Sequence, residues 1–234
     1  MGAGGNLKEQ ASKLKASVKR GLSEVLKPAG FSASSAGYFR KQISDVTQVV
    51  HVCYYLSESD ALQYKNSGLA FSIELGVYFD FIPSLCETIS VVNPNIADCQ
   101  IRSVLRKSID QPQYPNGLVW SANADGSNIQ LLVNDAKDVI SKRGLEWLAA
   151  LSQPSVAFLT STTEKMTREG AWGLGNFGSP LRYLLIAFLA KRLGKEGEAA
   201  TAFEELKKKN LTGWNIPRLE EALHALRSSD FDST

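Results

Sequence analysis

Apolar residues recur at spacings of three and four from Leu7 to Val25, through Ala11, Leu14, Val18 and Leu22. That stripe predicts an amphipathic helix. Lys8, Lys13, Lys15, Lys19 and Arg20 fall mostly off the stripe, and Pro28, in the exit turn PAGF, stops the run. The period then shortens to two. GYFRK predicts a short strand that pairs with DVTQVVHVCYY, whose Val, Thr and Tyr content favours extended chain. Alternation puts Val46, Gln48, Val50, Val52 and Tyr54 on one face, and Thr47, Val49, His51, Cys53 and Tyr55 on the other. LAFSIELGVYF is the clearest strand. Leu69, Phe71, Ile73, Leu75, Val77 and Phe79 share one face, opposite Ala70, Ser72, Glu74, Gly76 and Tyr78. CQIRSVLRK and GLVWSA are weaker strand candidates on either side of the loop SIDQPQYPN.

Neighbouring strands with short links and no helical crossovers predict an antiparallel sheet, with the N-terminal helix available to cover its apolar face. Antiparallel sheets commonly leave one face wet, so the face bearing Glu74 is expected to be solvated. The second half returns to helical spacing. Ile129, Leu132, Val133, Ala136, Val139 and Ile140 form one stripe, with Ser127 or Asp125 as its cap. LEWLAALSQP continues helical to Pro154, and SVAFLTSTT predicts a short helix with Pro154 near its first position. The fold class is therefore α+β: an antiparallel sheet covered by an N-terminal helix, with a helical C-terminal half. Residues 1–125 are expected to form the sheet domain, and 126–234 a helical region packed on it.

GLGNFG, from Gly173, spells G-x-G-x-x-G. A dinucleotide site needs a buried strand before the first glycine and an acidic residue about 20 positions on, after the second strand. Here TSTTEKMTREGAW precedes it, and Glu196 and Glu198 open a helix instead. No Gly-Lys-Ser/Thr follows, so a Walker loop fails as well. The stretch reads as a glycine-rich connection in which Trp172 and Phe177 plug an apolar gap. Ser179 then caps a helix with Pro180 in its first turn, and Gly194 closes it. With EGEAATAFEELKKK that helix forms a hairpin, with Ala199, Ala200 and Ala202 near the crossing and Phe203 and Leu206 as anchors. Leu219, Leu223 and Leu226 mark a final helix opened by Pro217.

Charge and cysteine content narrow the partners. With 26 basic and 24 acidic residues the net charge is +2, which argues against a dedicated nucleic-acid binder. The longest apolar run, Tyr183 to Ala190, is far short of the roughly 20 residues a bilayer span needs. The start MGAGGNLKEQ carries no apolar leader, and three cysteines are too few for a disulfide framework, so a cytoplasmic setting is expected.

Only two histidines, His51 and His224, are available for chemistry. His51 and Cys53 lie two apart on one strand face, and with Cys86 and Cys99 they would supply the four soft ligands a tetrahedral zinc takes. No C-x-x-C pair is present and Cys86 sits in an apolar stretch, so the cysteines read as small buried hydrophobes. No metal or other cofactor is expected. Glu74, mid-strand, can meet His51 or Arg102 across the sheet.

The segments LKPAGFSASSAGYFRK, DVTQVVHV, FSIELGVYF and CQIR resemble the bacterial family called domain of unknown function 4304, over roughly residues 20–125. Gln48 and Arg102 are the polar positions that fit its pattern best, while His51-Val52-Cys53 departs from it. The resemblance implies a bacterial cytosolic protein and carries over no catalytic residue. The function expected is therefore non-enzymatic protein recognition, as an accessory or immunity-type module. The partner would be another protein, and neither a membrane nor nucleic acid. The alternative is an enzyme or small-ligand binder with a site around Gln48, His51, Glu74 and Arg102.

Overall fold

The computed structural model describes residues 3–34, 37–56, 68–83, 92–109, 117–163, 167, 170–173, 179–211, 220–221 and 224. Helix α1, Ala3–Leu26, leads into strands β1 (Ser32–Ala33), β2 (Tyr38–Ile43), β3 (Val46–Tyr55), β4 (Ala70–Phe79), β5 (Ile101–Val104) and β6 (Trp120–Ser121). Then come α2 (Ile129–Val139), a π-helical turn (Ile140–Gly144), α3 (Leu145–Leu151) and α4 (Pro154–Thr163). The two-residue strand β7 (Trp172–Gly173) precedes α5 (Pro180–Arg192) and α6 (Glu196–Leu211). The seven strands make one sheet in the order β1-β2-β3-β4-β5-β7, with β6 paired to β4. β1–β2, β4–β6 and β5–β7 are antiparallel, with Phe71 opposite Trp120 and Ile101 opposite Gly173. The fold is α+β, as the periodicities predict.

The chain forms two compact units. The first contains residues 1–41, 49–75 and 104–147, and the second 42–48, 76–103 and 148–234. In the first, α1 buries Leu14, Val18 and Leu22 of the predicted stripe completely, while Leu7, Ala11 and Val25 are half-buried and Leu26, outside the predicted stripe, is fully buried. Gly21 lets α2 approach: a Cβ there would lie 2.4 Å from Val133 Cγ1. Trp120 stacks on Phe71 at 5.3 Å, and its indole N–H donates to Asp135 on α2 at 2.8 Å. The α2 cap is Asn128, one residue beyond Ser127. Its side chain accepts from the Asn123 N–H and donates to the Ser121 carbonyl, while Asp125 accepts from the Ser127 N–H in the preceding turn. The cap is therefore placed by its ties to β6, which local spacing does not register.

In the second unit α5 packs on both α4 and α6. α5 begins after Ser179 with Pro180 in its first turn. It ends with Lys195 N–H on the Ala190 carbonyl and Gly194 at φ 67°. In α6, Ala199, Ala202 and Leu206 are buried, whereas Ala200 is exposed and Phe203 half-buried. Of the expected crossing residues, Ala200 thus turns outward. Gly173 holds φ +144° in β7, where a Cβ would come within 2.5 Å of the Gln100 carbonyl oxygen, so close strand pairing requires glycine there. Phe177, Cys86 and most of the segment from Pro217 to Leu226 lie outside the described residues.

One expectation is corrected. Along β4 both faces are buried, with Ala70, Ser72 and Tyr78 covered and only Glu74 half-exposed. Gly76 on that second face sits against Cys99 and Ile96, which would clash with any Cβ. The face bearing Glu74 is not a wet one.

Candidate functional site

Two features of the described residues have the chemistry or the shape of a site. The first is polar and lies on the sheet within the first unit. Alternation brings His51 of β3 and Glu74 of β4 to one face, and His51 Nδ1 lies 3.1 Å from Glu74 Oε2. Their side chains keep 17% and 18% of their surface. Tyr38 of β2 stacks on the imidazole at 4.1 Å and 15°, and Arg40 lies over the Tyr38 ring at 4.8 Å. Beside this row the Tyr55 hydroxyl meets Ser72 Oγ at 3.1 Å. The contact through Nδ1 sets the ring orientation and leaves Nε2 as the nitrogen not engaged by Glu74. Among the described residues no group of three or more His, Cys, Asp or Glu side chains is placed to hold a metal, and Cys86 lies outside them.

Of the four residues named from sequence, the structure brings His51 and Glu74 together. Gln48 is 4% exposed and gives its amide protons to the Leu148 carbonyl at 3.1 Å and to Ser152 Oγ at 2.9 Å, tying β3 to α3. Arg102 donates through Nη2 to the Gly173 carbonyl at 3.2 Å and lies 4.2 Å over the Trp172 ring, bracing β5 against β7.

The second feature is apolar and lies wholly in the second unit. Phe158 of α4, Tyr183 and Ile186 of α5, and Thr201 and Ala202 of α6 line an open groove of about 490 Å³, with Glu198 at its rim. Lys195 Nζ lies 5.2 Å from the Phe158 ring centroid, and the neighbouring Leu159 is 59% exposed. Sequence reasoning passed over this groove. A signal existed: Phe158 and Leu159 are adjacent on a helix, about 100° apart, so one narrow core contact cannot take both.

The sequence profile of the domain of unknown function 4304 (DUF4304) matches residues 22–150, more than half of the chain. The chain belongs to that family. The His51–Glu74 pair falls inside the matched segment, and the groove falls beyond it. No curated protein and no solved structure matches the chain.

Proposed function

We propose that this DUF4304 member is a non-enzymatic recognition protein that receives apolar side chains of a partner protein in the groove between α4, α5 and α6. A bacterial cytoplasmic setting and an accessory or immunity-type role belong to the same reading. One observation carries it: the groove of about 490 Å³, walled by Phe158, Tyr183 and Ile186, with polar Thr201 and Glu198 at its edge. Protein-binding surfaces commonly combine an apolar centre with a polar rim, and pockets that accept one or two large side chains concentrate binding energy. The groove is large enough for an aromatic or leucine anchor, whereas the His51–Glu74 pair presents a single nitrogen. No described helix is long and apolar enough to cross a membrane.

The test is a tagged pull-down from lysate, treated with nuclease and run at low and moderate salt, comparing the wild-type chain with Thr201→Arg. Thr201 is exposed on α6, so the arginine fills the groove without entering the core. A stoichiometric protein held by the wild type and lost from the variant, at an unchanged melting temperature, is the expected result. Recovery of the bare protein, or a partner indifferent to Thr201→Arg, overturns the reading.

A further inference from the structure

Helix α4 carries no Asp, Glu, Lys or Arg in its ten residues, PSVAFLTSTT. Phe158 and Thr162 wall the groove, and Ala157, Thr160 and Ser161 are buried. Ser155, Leu159 and Thr163, at four-residue spacing, form an exposed ridge. At about 100° per residue, Leu159 lies about 60° and 100° round the helix from Thr162 and Phe158, just outside the groove wall. A surface helix ordinarily turns charged residues to water, whereas this one turns out a leucine between two hydroxyl residues. The threonine hydroxyls need no outside partner. Thr163 Oγ1 donates to the Leu159 carbonyl at 2.6 Å, and Thr162 Oγ1 to the Phe158 and Leu159 carbonyls at 3.0 Å, so covering them costs little.

The mouth of the groove is balanced in charge among the described residues. On the side of α6 that faces it, Glu198 pairs with Lys195 at 3.5 Å and Glu205 with Lys208 at 2.6 Å. Glu204 pairs with Lys207 at 2.8 Å, and Glu196 lies about 160° round α6 from Glu198. On α5, Lys191 and Arg192 lie about 110° and 150° round from the edge formed by Tyr183 and Ile186, and Arg192 is held by Asp45 at 2.9 Å. Such a mouth suits an uncharged helix with an apolar anchor better than a charged segment.

We propose that the occupant of the groove is α4 of a second copy of this chain, in a two-fold pair where Leu159 of each copy enters the groove of the other. A two-fold contact requires one surface to carry both halves. Here the leucine and the hole lie side by side, with Phe158 in the wall and Leu159 outside it. Ser155 and Thr163, short residues on either side of Leu159, let the helices approach closely. The contact is small beside the roughly 800 Å² per partner of a stable complex, so the pair is weak, with a dissociation constant on the order of 100 µM. This pairing rests on the reading of the groove as a seat for protein side chains, and adds its regulation. At high concentration a second copy covers the groove, and a tighter partner displaces it.

Sedimentation velocity of the full chain from roughly 5 to 500 µM tests the pairing, because mass action makes a weak dimer concentration-dependent. The mass should rise from that of one chain towards that of two. Leu159→Asp, which removes the anchor, and Thr201→Arg, which fills the hole, should each lose at least roughly tenfold in affinity and stay monomeric. Both positions are exposed, so melting temperatures should not change. Leu159→Met, which keeps an apolar anchor, should still pair. A wild-type chain that is monomeric up to roughly 500 µM, or a dimer indifferent to Leu159→Asp or to Thr201→Arg, overturns the pairing. A monomeric wild type that still holds a lysate protein sensitive to Thr201→Arg sinks the pairing alone and leaves hetero-recognition standing. A dimer lost in both Leu159→Asp and Thr201→Arg, with no lysate protein recovered, supports the pairing and sinks hetero-recognition.

Discussion

Two buried regions treat polar atoms differently. At the corner between β6 and α2, Asp135 is 8% exposed, and its Oδ2 accepts from the Trp120 indole at 2.8 Å and from the Ser108 N–H at 3.1 Å. Where α4 meets α5, Ser161 is fully buried, and its hydroxyl has no hydrogen-bond partner among the described residues. Its neighbours Thr162 and Thr163 back-bond to the Phe158 and Leu159 carbonyls, and the Ser161 carbonyl accepts from Arg182 Nε at 2.7 Å. Burial also holds the Arg182 guanidinium below the usual arginine range. The first region joins loop, strand and helix through directed bonds. The second is set by helix packing, and the Ser161 hydroxyl is carried inside by the contact. A buried polar residue therefore says little about its worth until its partners are counted.

Breaking the first region has the largest expected effect. Asp135→Ala strands the buried Trp120 indole N–H, and chemical denaturation should show a loss of about 2–4 kcal/mol. Tyr54 stands between the two extremes, because among the described residues its hydroxyl reaches only the Lys15 carbonyl, at 3.5 Å. Burial pushes its pKa up from 10.0 to about 12. The neutral phenol is thus favoured in the fold, so its contribution is complete below pH 10 and is lost as pH rises towards 12. Melting temperature should fall across that window, and Tyr54→Phe should flatten the fall; a variant with the same slope would place its cause elsewhere. Ser161→Ala is the smallest change. It deletes a hydroxyl that makes no bond among the described residues and improves helix propensity, so stability should stay level or rise by roughly 0.5 kcal/mol in the same denaturation assay. A loss comparable to that of Asp135→Ala would remove the contrast.

Much of the candidate chemistry was legible in the chain. Period-two alternation placed His51 and Glu74 on a common-facing pair of strands, and the structure joins them at 3.1 Å. The family resemblance singled out Gln48 and Arg102, but what each side chain meets depends on α3 and β7, elements distant in sequence. The groove between α4, α5 and α6 went unread because it belongs to no single element. Three helices each supply one or two side chains, and only their packing leaves the space open.

By itself, the sequence determined the elements whose signals are local. The three-four stripe of α1 and the alternation of β4 are repeats in chemistry that follow backbone geometry. Pro180 and Gly194 bound α5 because one lacks an N–H and the other tolerates positive φ. Tertiary structure alone decided that the Glu74 face of β4 is covered, that Asn128 rather than Ser127 caps α2, and that the Ser161 hydroxyl is buried without a bond among the described residues. Each of these turns on what a residue meets across the fold, and burial and hydrogen-bond partners are set by neighbours in space that no repeat along the chain encodes.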